Sequence, residues 1–229
     1  MTGASTRQVS EEFDRIALLT GREGCGDRGV YHKYLLRQLS PRPESLLEVG
    51  CGAGAFTRLL ARRARRVLAL DLSPEMLRLA ESRTAGCENV EYLLGDLMKL
   101  PLPEGVYDCV VSVATLHHLP QGAALRKMKD VLRPGGVLVV HDLIADAGLA
   151  DGCVSALAYP LSVLRRRWKT GRWRVPRELR EAWAEHGRHE TYLTPAGVRE
   201  MCRSHLPSAR VRRHLLWRYT AVWRKPEAS

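Results

Sequence analysis

The 229-residue chain has no C-x-x-C pair; its six cysteines stand singly at positions 25, 51, 87, 109, 153 and 202. Such scattering argues against a disulfide framework or a thiolate zinc module. No apolar leader precedes them, so reduced thiols in a cytoplasmic protein are the expectation. Long apolar runs are missing too. The longest, Cys153 to Leu164, holds about a dozen residues where a membrane span needs about 20, and it reads as a buried or lid helix. No internal repeat or low-complexity tract is present, which sets aside repeat arrays and disordered tails.

Acidic groups are the remaining shortage, with 25 Asp+Glu against 36 Lys+Arg and a net charge of +11. The deficit is local. Residues 1–45 carry 7 basic and 6 acidic groups, 46–145 carry 12 and 11, and 146–229 carry 17 and 8. A uniformly basic chain would point to nucleic acid or an anionic membrane, but an excess confined to the last third leaves a nearly neutral middle free for other chemistry. The length and the 45% apolar content suit one globular domain with a full core.

From Ser45 onward, Val/Leu/Ile-rich runs alternate with helical periodicity, the pattern of a mainly parallel sheet covered on both faces. The predicted strands are Leu46 to Val49, Arg66 to Asp71, Val90 to Gly95, Tyr107 to Val113 and Val137 to Leu143. Ser73-Pro74 and Thr194-Pro195 read as helix starts, and Arg133-Pro134-Gly135-Gly136 stops a helix over 122–132. Arg210 to Leu215 and Trp217 to Arg224 alternate apolar and basic residues and predict an antiparallel hairpin closing the sheet. Two further helices are expected at Glu11 to Leu19 and Tyr31 to Leu39, separated by the glycine-rich Gly21 to Gly29. The expected organisation is one α/β, Rossmann-like doubly wound domain with helices on both faces. Within it, 1–45 form an N-terminal helical lid, 46–145 the core, 146–190 a lid insertion and 191–229 the last helix and hairpin.

Strand one runs into Gly50-Cys51-Gly52-Ala53-Gly54 and then a helix. Glycines there permit a tight turn and close backbone approach to a ligand, which would meet the free N–H groups of the helix start. Asp71 ends strand two, 21 residues past Gly50, where a carboxylate can accept from ribose hydroxyls. Gly95-Asp96 follows strand three, Leu116-His117-His118-Leu119 follows strand four, and Leu132-Arg133-Pro134-Gly135-Gly136 precedes strand five.

In this order and spacing, residues 46–143 resemble the class I S-adenosylmethionine-dependent methyltransferases, in particular the small-molecule type 11 subgroup. The resemblance implies S-adenosylmethionine as cofactor, S-adenosylhomocysteine as product, and no metal. It implies that Gly50, Cys51, Gly52 and Gly54 hold the methionine part, with Glu48 supporting the loop and Ser112 beside the amino group. Asp71 would bind the ribose, Leu72 and Met76 would flank the adenine, and Asp96 and Leu97 would contact its edge. Cys51 has no basic neighbour in sequence and is expected to be structural.

Methyl transfer from a sulfonium releases a neutral leaving group, so the protein must supply alignment, exclusion of water and, for a hydroxyl acceptor, removal of one proton. Histidine is the usual base near neutral pH. His117, at the end of strand four, is the first candidate; His141, near the end of strand five, is either a second pocket candidate or a buried histidine bonded to a backbone carbonyl. His186 and His189 could reach in from the lid insertion, His118 is expected to hold the loop, and Tyr31 and His32 could cover the cofactor.

Arg165 to Arg180 carries eight positive charges, one negative charge and two tryptophans. Stacking between arginines keeps RNA open as a partner, an anionic membrane surface would suit the same residues, and a solvated lid helix accounts for them as well. The N-P-P-Y type tetrapeptide of amino-methylating relatives is absent, with Ala114-Thr115-Leu116-His117 in its place. O-methylation of a small molecule with a histidine base is therefore the expected activity. Carbon or nitrogen methylation and a binding-only role stay open, as does the choice between monomer and homodimer.

Overall fold

The computed structural model describes residues 6–23, 29, 31–145, 167, 176–188 and 190–227. The expected helix within Cys153 to Leu164, nearly all of the basic stretch before Arg177, the segment 24–28 and His189 lie outside them. Among the described residues no helix is long and apolar enough to cross a membrane.

Seven strands form one sheet in the order β3-β2-β1-β4-β5-β7-β6. They are β1 (Ser45–Val49), β2 (Arg66–Asp71), β3 (Val90–Leu94), β4 (Tyr107–Val113), β5 (Leu132–Leu143), β6 (Arg210–His214) and β7 (Arg218–Arg224). The first five run parallel; β7 pairs antiparallel with β5, and β6 with β7. This is the expected α/β sheet with its antiparallel hairpin. The order reverses between β1 and β4, so both carboxyl ends open onto the crevice where such sheets take their ligands.

Side-chain alternation divides the core into two layers. On one face Leu47, Val110, Leu138 and Val140 meet Leu125 and Met128 of α5 (Gln121–Asp130) and Val198 and Cys202 of α7 (Pro195–His205). On the other, Leu46, Cys109, Val111 and Val139 meet Leu35 of α2 (His32–Leu36) and Leu60 of α3 (Thr57–Ala61). Burial on both faces is why the central strands read as continuous apolar runs rather than alternating ones.

A smaller cluster roofs the carboxyl end of the sheet. Ile16 and Ala17 of α1 (Thr6–Glu23) and Leu179 and Ala182 of α6 (Arg177–His186) close on Met76 in the first turn of α4 (Pro74–Arg83). Ser73 caps α4 by accepting from the Met76 N–H at 3.0 Å. Asp14 of α1 accepts from the Ser73 hydroxyl at 2.5 Å and from the Glu75 N–H at 3.2 Å, where the helix dipole favours a carboxylate.

Several boundaries differ from the sequence reading. Helix α1 is twice the expected length and α2 is shorter, because the stretch after Leu36 leaves the helix as a turn. Strand β5 starts at Leu132, not Val137: Leu132 pairs with Tyr107 across a register shift, and Gly135 takes φ 73° inside the strand. The expected stop signal therefore acts as a bulge as well as a helix end.

Candidate active site

The loop after β1 is anchored from below. The N–H groups of Gly50 and Cys51 both donate to the Leu70 carbonyl of β2, at 2.8 and 3.0 Å. The Gly52 N–H donates to Asp71 Oδ2 at 2.7 Å, and Asp71 Oδ1 accepts from the Ser73 N–H at 3.0 Å. Gly50 must lack a side chain because a Cβ there would fall inside Thr115, on the turn after β4. At Gly52 the reason is different. Its φ is 50° and a Cβ would meet nothing within 4 Å, so this loop carries an open backbone edge facing free space, a cradle that any side chain would begin to fill. Gly54 packs on Ala80 of α4.

The remaining cofactor candidates lie at or shortly after the carboxyl ends of β1 to β4. Burial pushes the Asp71 carboxyl up, partly offset by the N–H bonds from Ser73 and Gly52. Glu48 is fully buried, accepts from Thr57 Oγ1 at 2.6 Å and is pushed up to about 8, mainly by desolvation. Ser112 pairs with Val49 at the mouth of the loop, and its buried hydroxyl has no hydrogen-bond partner among the described residues. Asp96 Oδ1 accepts from the Met98 N–H at 2.9 Å while Leu97 sits in the core. Leu72 is half-buried and its carbonyl accepts from Ser10 of α1, and Met76 lies beneath the α1–α6 roof. Burial and the neighbouring Glu48 and Asp71 raise the Cys51 thiol far above its ordinary range. A thiol so held is no nucleophile.

At the end of β4 the chain turns sharply. Ala114 takes φ 55°, a left-handed conformation costing a side-chain-bearing residue about 1–2 kcal/mol, and its N–H donates to the His141 carbonyl at 2.7 Å. The short 3-10 turn Leu116–His118 follows and swings His117 back over β5. There Asp142 grips it twice: Oδ1 lies 2.6 Å from His117 Nδ1, and Oδ2 accepts the His117 backbone N–H at 2.8 Å. Because a carboxylate can only accept here, Nδ1 carries a proton, and the lone pair of the neutral ring falls on Nε2.

Around this pair stand more ionisable groups. His118 Nδ1 is 2.8 Å from Glu190 Oε1, His117 Nε2 is 3.9 Å from Glu190 Oε2, and His186 Nε2 is 3.7 Å from Glu190 Oε1. His186 Nδ1 is 2.7 Å from Glu12 of α1. Phe13 of α1 packs edge-on against both His118 and His186, and Tyr192 lies tilted against His117. Burial raises the Glu190 carboxyl, but His118, His117 and His186 outweigh that and hold it below its ordinary range.

His141 is not part of this group. Adjacent residues on a strand point to opposite faces, so with Asp142 turned to His117, His141 projects to the other side. It meets Thr220 Oγ1 at 2.9 Å, and its ring lies tilted against Tyr31 and edge-on to His214. Burial, with Arg218, His214 and His32 nearby, lowers it to about 3. Tyr31 donates to the Leu215 carbonyl at 2.7 Å, and His32 packs on Phe56. Sequence reasoning missed Asp142, Glu190 and Glu12. Asp142 left one trace, an acid inside the apolar run Val137 to Leu143; such a group needs a partner.

The family model described as a methyltransferase domain matches residues 47–140. An uncharacterized methyltransferase of Mycobacterium tuberculosis is 32% identical over 203 residues, covering 86% of this chain and 95% of its own length. The malonyl-[acyl-carrier protein] O-methyltransferase of Serratia marcescens is 38% identical over 138 residues, 60% of this chain and 53% of that protein. Among solved structures, N-methyltransferase NodS of Bradyrhizobium japonicum WM9 in complex with S-adenosylhomocysteine superposes with TM-score 0.61 at 21% identity, covering 93% of this chain and 100% of the other. The residues present fit this cofactor: an open glycine edge at Gly52, an unpartnered buried hydroxyl at Ser112 and the Asp71 carboxylate lie around one crevice. Fold, loop and relatives converge, and the chain belongs to the class I S-adenosylmethionine-dependent methyltransferases.

Proposed function

We propose that the chain O-methylates a small molecule, with His117 as general base and Asp142 as the residue that positions it. The double contact between Asp142 and His117 carries this reading. The bound cofactor supplies a methyl group activated by its sulfonium. The chain's own residues do the rest. The glycine loop and Asp71 fix the donor at the carboxyl ends of β1 and β2, and Glu48 braces the loop through Thr57. His117 Nε2 takes the acceptor hydroxyl proton, and the charge that then develops on the ring is stabilised by Asp142 on one side and Glu190 on the other.

The roof of α1 and α6 excludes water, leaving the His117 side chain only 6% exposed, and these elements read as the lid that admits the acceptor. The Serratia relative, named for oxygen methylation, supports an oxygen acceptor. A hydroxyl fits the site better than a carboxylate, since an ionised carboxylate needs no base and would leave the Asp142–His117 pair without a task. His141, bonded to Thr220 on the opposite face, is assigned no proton transfer.

The test is transfer of labelled methyl from S-adenosylmethionine into a metabolite extract, with and without ribonuclease. Label should enter small molecules regardless of ribonuclease. His117→Ala should lower turnover by about a hundredfold or more with cofactor affinity retained, and Asp71→Ala should weaken cofactor binding. Full activity of His117→Ala across pH 6 to 9 would refute the assignment of the base.

A further inference from the structure

One constellation exceeds what proton removal requires. His117, His118 and Glu190 each offer a ligand atom, and these atoms all lie within 4.8 Å of one another. Their side chains are only 6%, 7% and 7% exposed. A zinc-class ion holds nitrogen and oxygen ligands at about 2.0–2.1 Å, which sets a pair of them about 3.4 Å apart in a tetrahedron and at most about 4.2 Å apart. His118 Nδ1 lies 2.8 Å from Glu190 Oε1 and His117 Nε2 lies 3.9 Å from the other oxygen, Oε2, so the two imidazoles converge on the two oxygens of one carboxylate. Small side-chain shifts would open the centre to one ion.

The support behind His117 points the same way. Metal-bound histidines characteristically give their second nitrogen to a carboxylate, which fixes the tautomer and raises ligand basicity. Asp142 does this at 2.6 Å and also holds the backbone of the same residue. Two imidazoles with one carboxylate favour zinc, cobalt, nickel or copper over magnesium or calcium, which prefer oxygen. The ligands are remote in sequence, His118 and Glu190 being 72 positions apart, so no linear spacing marks them as a set.

We propose that His117, His118 and Glu190 form a site for one divalent transition-metal ion of the zinc class, and that the ion silences methyl transfer by occupying the His117 Nε2 lone pair. The silencing rests on the reading of His117 as base; the binding does not. Binding moves one proton: His118 Nδ1, which donates to Glu190 in the free site, becomes a ligand as its ring proton passes to Nε2 or to solvent, and removal of the ion by EDTA restores the hydrogen bond.

The probe is Co²⁺, titrated into chelator-treated full-length protein and followed by visible absorption, with Mg²⁺ as the comparison ion and circular dichroism as the check on folding. One equivalent should give the bands of a four-coordinate site, Mg²⁺ should not compete, and His118→Gln and Glu190→Gln should each lose the stoichiometric signal while remaining folded. Methyl transfer should fall as the site fills and return with EDTA. Absence of the signal, or its survival in both folded variants, overturns the site and leaves His117 as base untouched. A stoichiometric signal with transfer unchanged, or with transfer that requires the ion, overturns the silencing and the base assignment while the site stands.

Discussion

Replacing Asp142 by Asn is the most demanding perturbation of the site, since it keeps the shape and removes one acceptor. Asp142 is 1% exposed and accepts three N–H bonds: Oδ1 from His117 Nδ1 at 2.6 Å and from the Leu143 backbone at 2.8 Å, Oδ2 from the His117 backbone at 2.8 Å. Asparagine has one oxygen. Placed at the Oδ1 position, it leaves an NH₂ facing the His117 N–H. Placed at Oδ2, it orphans the Leu143 N–H and forces the proton of His117 onto Nε2, where the ring can no longer act as a base. Either arrangement leaves a buried donor unsatisfied, at about 1–3 kcal/mol of stability, and the second abolishes the reactive tautomer, which in comparable dyads costs about 10²–10⁴ in rate. The assays are turnover of labelled S-adenosylmethionine, its binding by calorimetry, and urea unfolding. Turnover should collapse while cofactor affinity holds, because Asp142 lies across the crevice from the glycine loop. An Asp142→Asn chain that is destabilised but fully active would show that the pair is a structural bond only.

Two further perturbations test the cofactor side. Gly52→Ala should cost about 1–2 kcal/mol of stability for its left-handed backbone and weaken S-adenosylmethionine binding by tenfold or more; a calorimetric Kd equal to that of the unaltered chain would place the cradle elsewhere. Glu48 tests pH. Its folded value of about 8 lies above the ordinary 4.5, so between those limits the folded chain keeps a proton that the unfolded chain has released, and stability falls as pH rises, by up to about 1.4 kcal/mol per unit. Glu48→Gln keeps the acceptor for Thr57 and cannot ionise, so its urea midpoints from pH 5 to 8 should fall less steeply. Parallel slopes in the two chains would refute the shift.

The core was legible because its determinants are local in sequence. A strand buried on both faces must read as an apolar run, a Ser-Pro start can be satisfied by a capped helix, and alternate glycines after a strand leave few backbone solutions. The hairpin was legible by alternation, although its boundaries moved where Leu216 and Trp217 adopt positive φ, a choice residue type does not announce. His117 could be picked from its place at a strand end. The acids around it could not, because Asp142 and Glu190 reach His117 from β5 and from beyond α6, Glu12 of α1 reaches the neighbouring His186, and nothing in a linear pattern records which acid a fold will bring to which histidine. His141 shows the converse. It has the same distance to the strand end as a pocket residue would, and a one-residue alternation sends it to the far face.

The site is therefore held by two kinds of element with different freedom to change. His117 is set by the sheet itself: Thr115, two residues earlier, fills the space left by Gly50, and Asp142 of the neighbouring strand fixes the ring. On the reading of His117 as base, the distance from donor to base is thus built into β1, β4 and β5, the part of the chain whose charges nearly balance. The walls come from outside that frame, from Glu12 and Phe13 of α1 and from His186 and Glu190 at the end of α6 and beyond. Among the described residues, the ionisable groups these walls turn to His117 and His118 are carboxylates and imidazoles. An acceptor carrying phosphate beside its reacting oxygen would bring negative charge toward Asp142 and Glu190, and like unit charges about 4 Å apart repel by roughly 4 kcal/mol at the effective dielectric of a protein surface. On the reading of His117 as base, an acceptor uncharged beside its reacting hydroxyl therefore suits this crevice better than one carrying phosphate there.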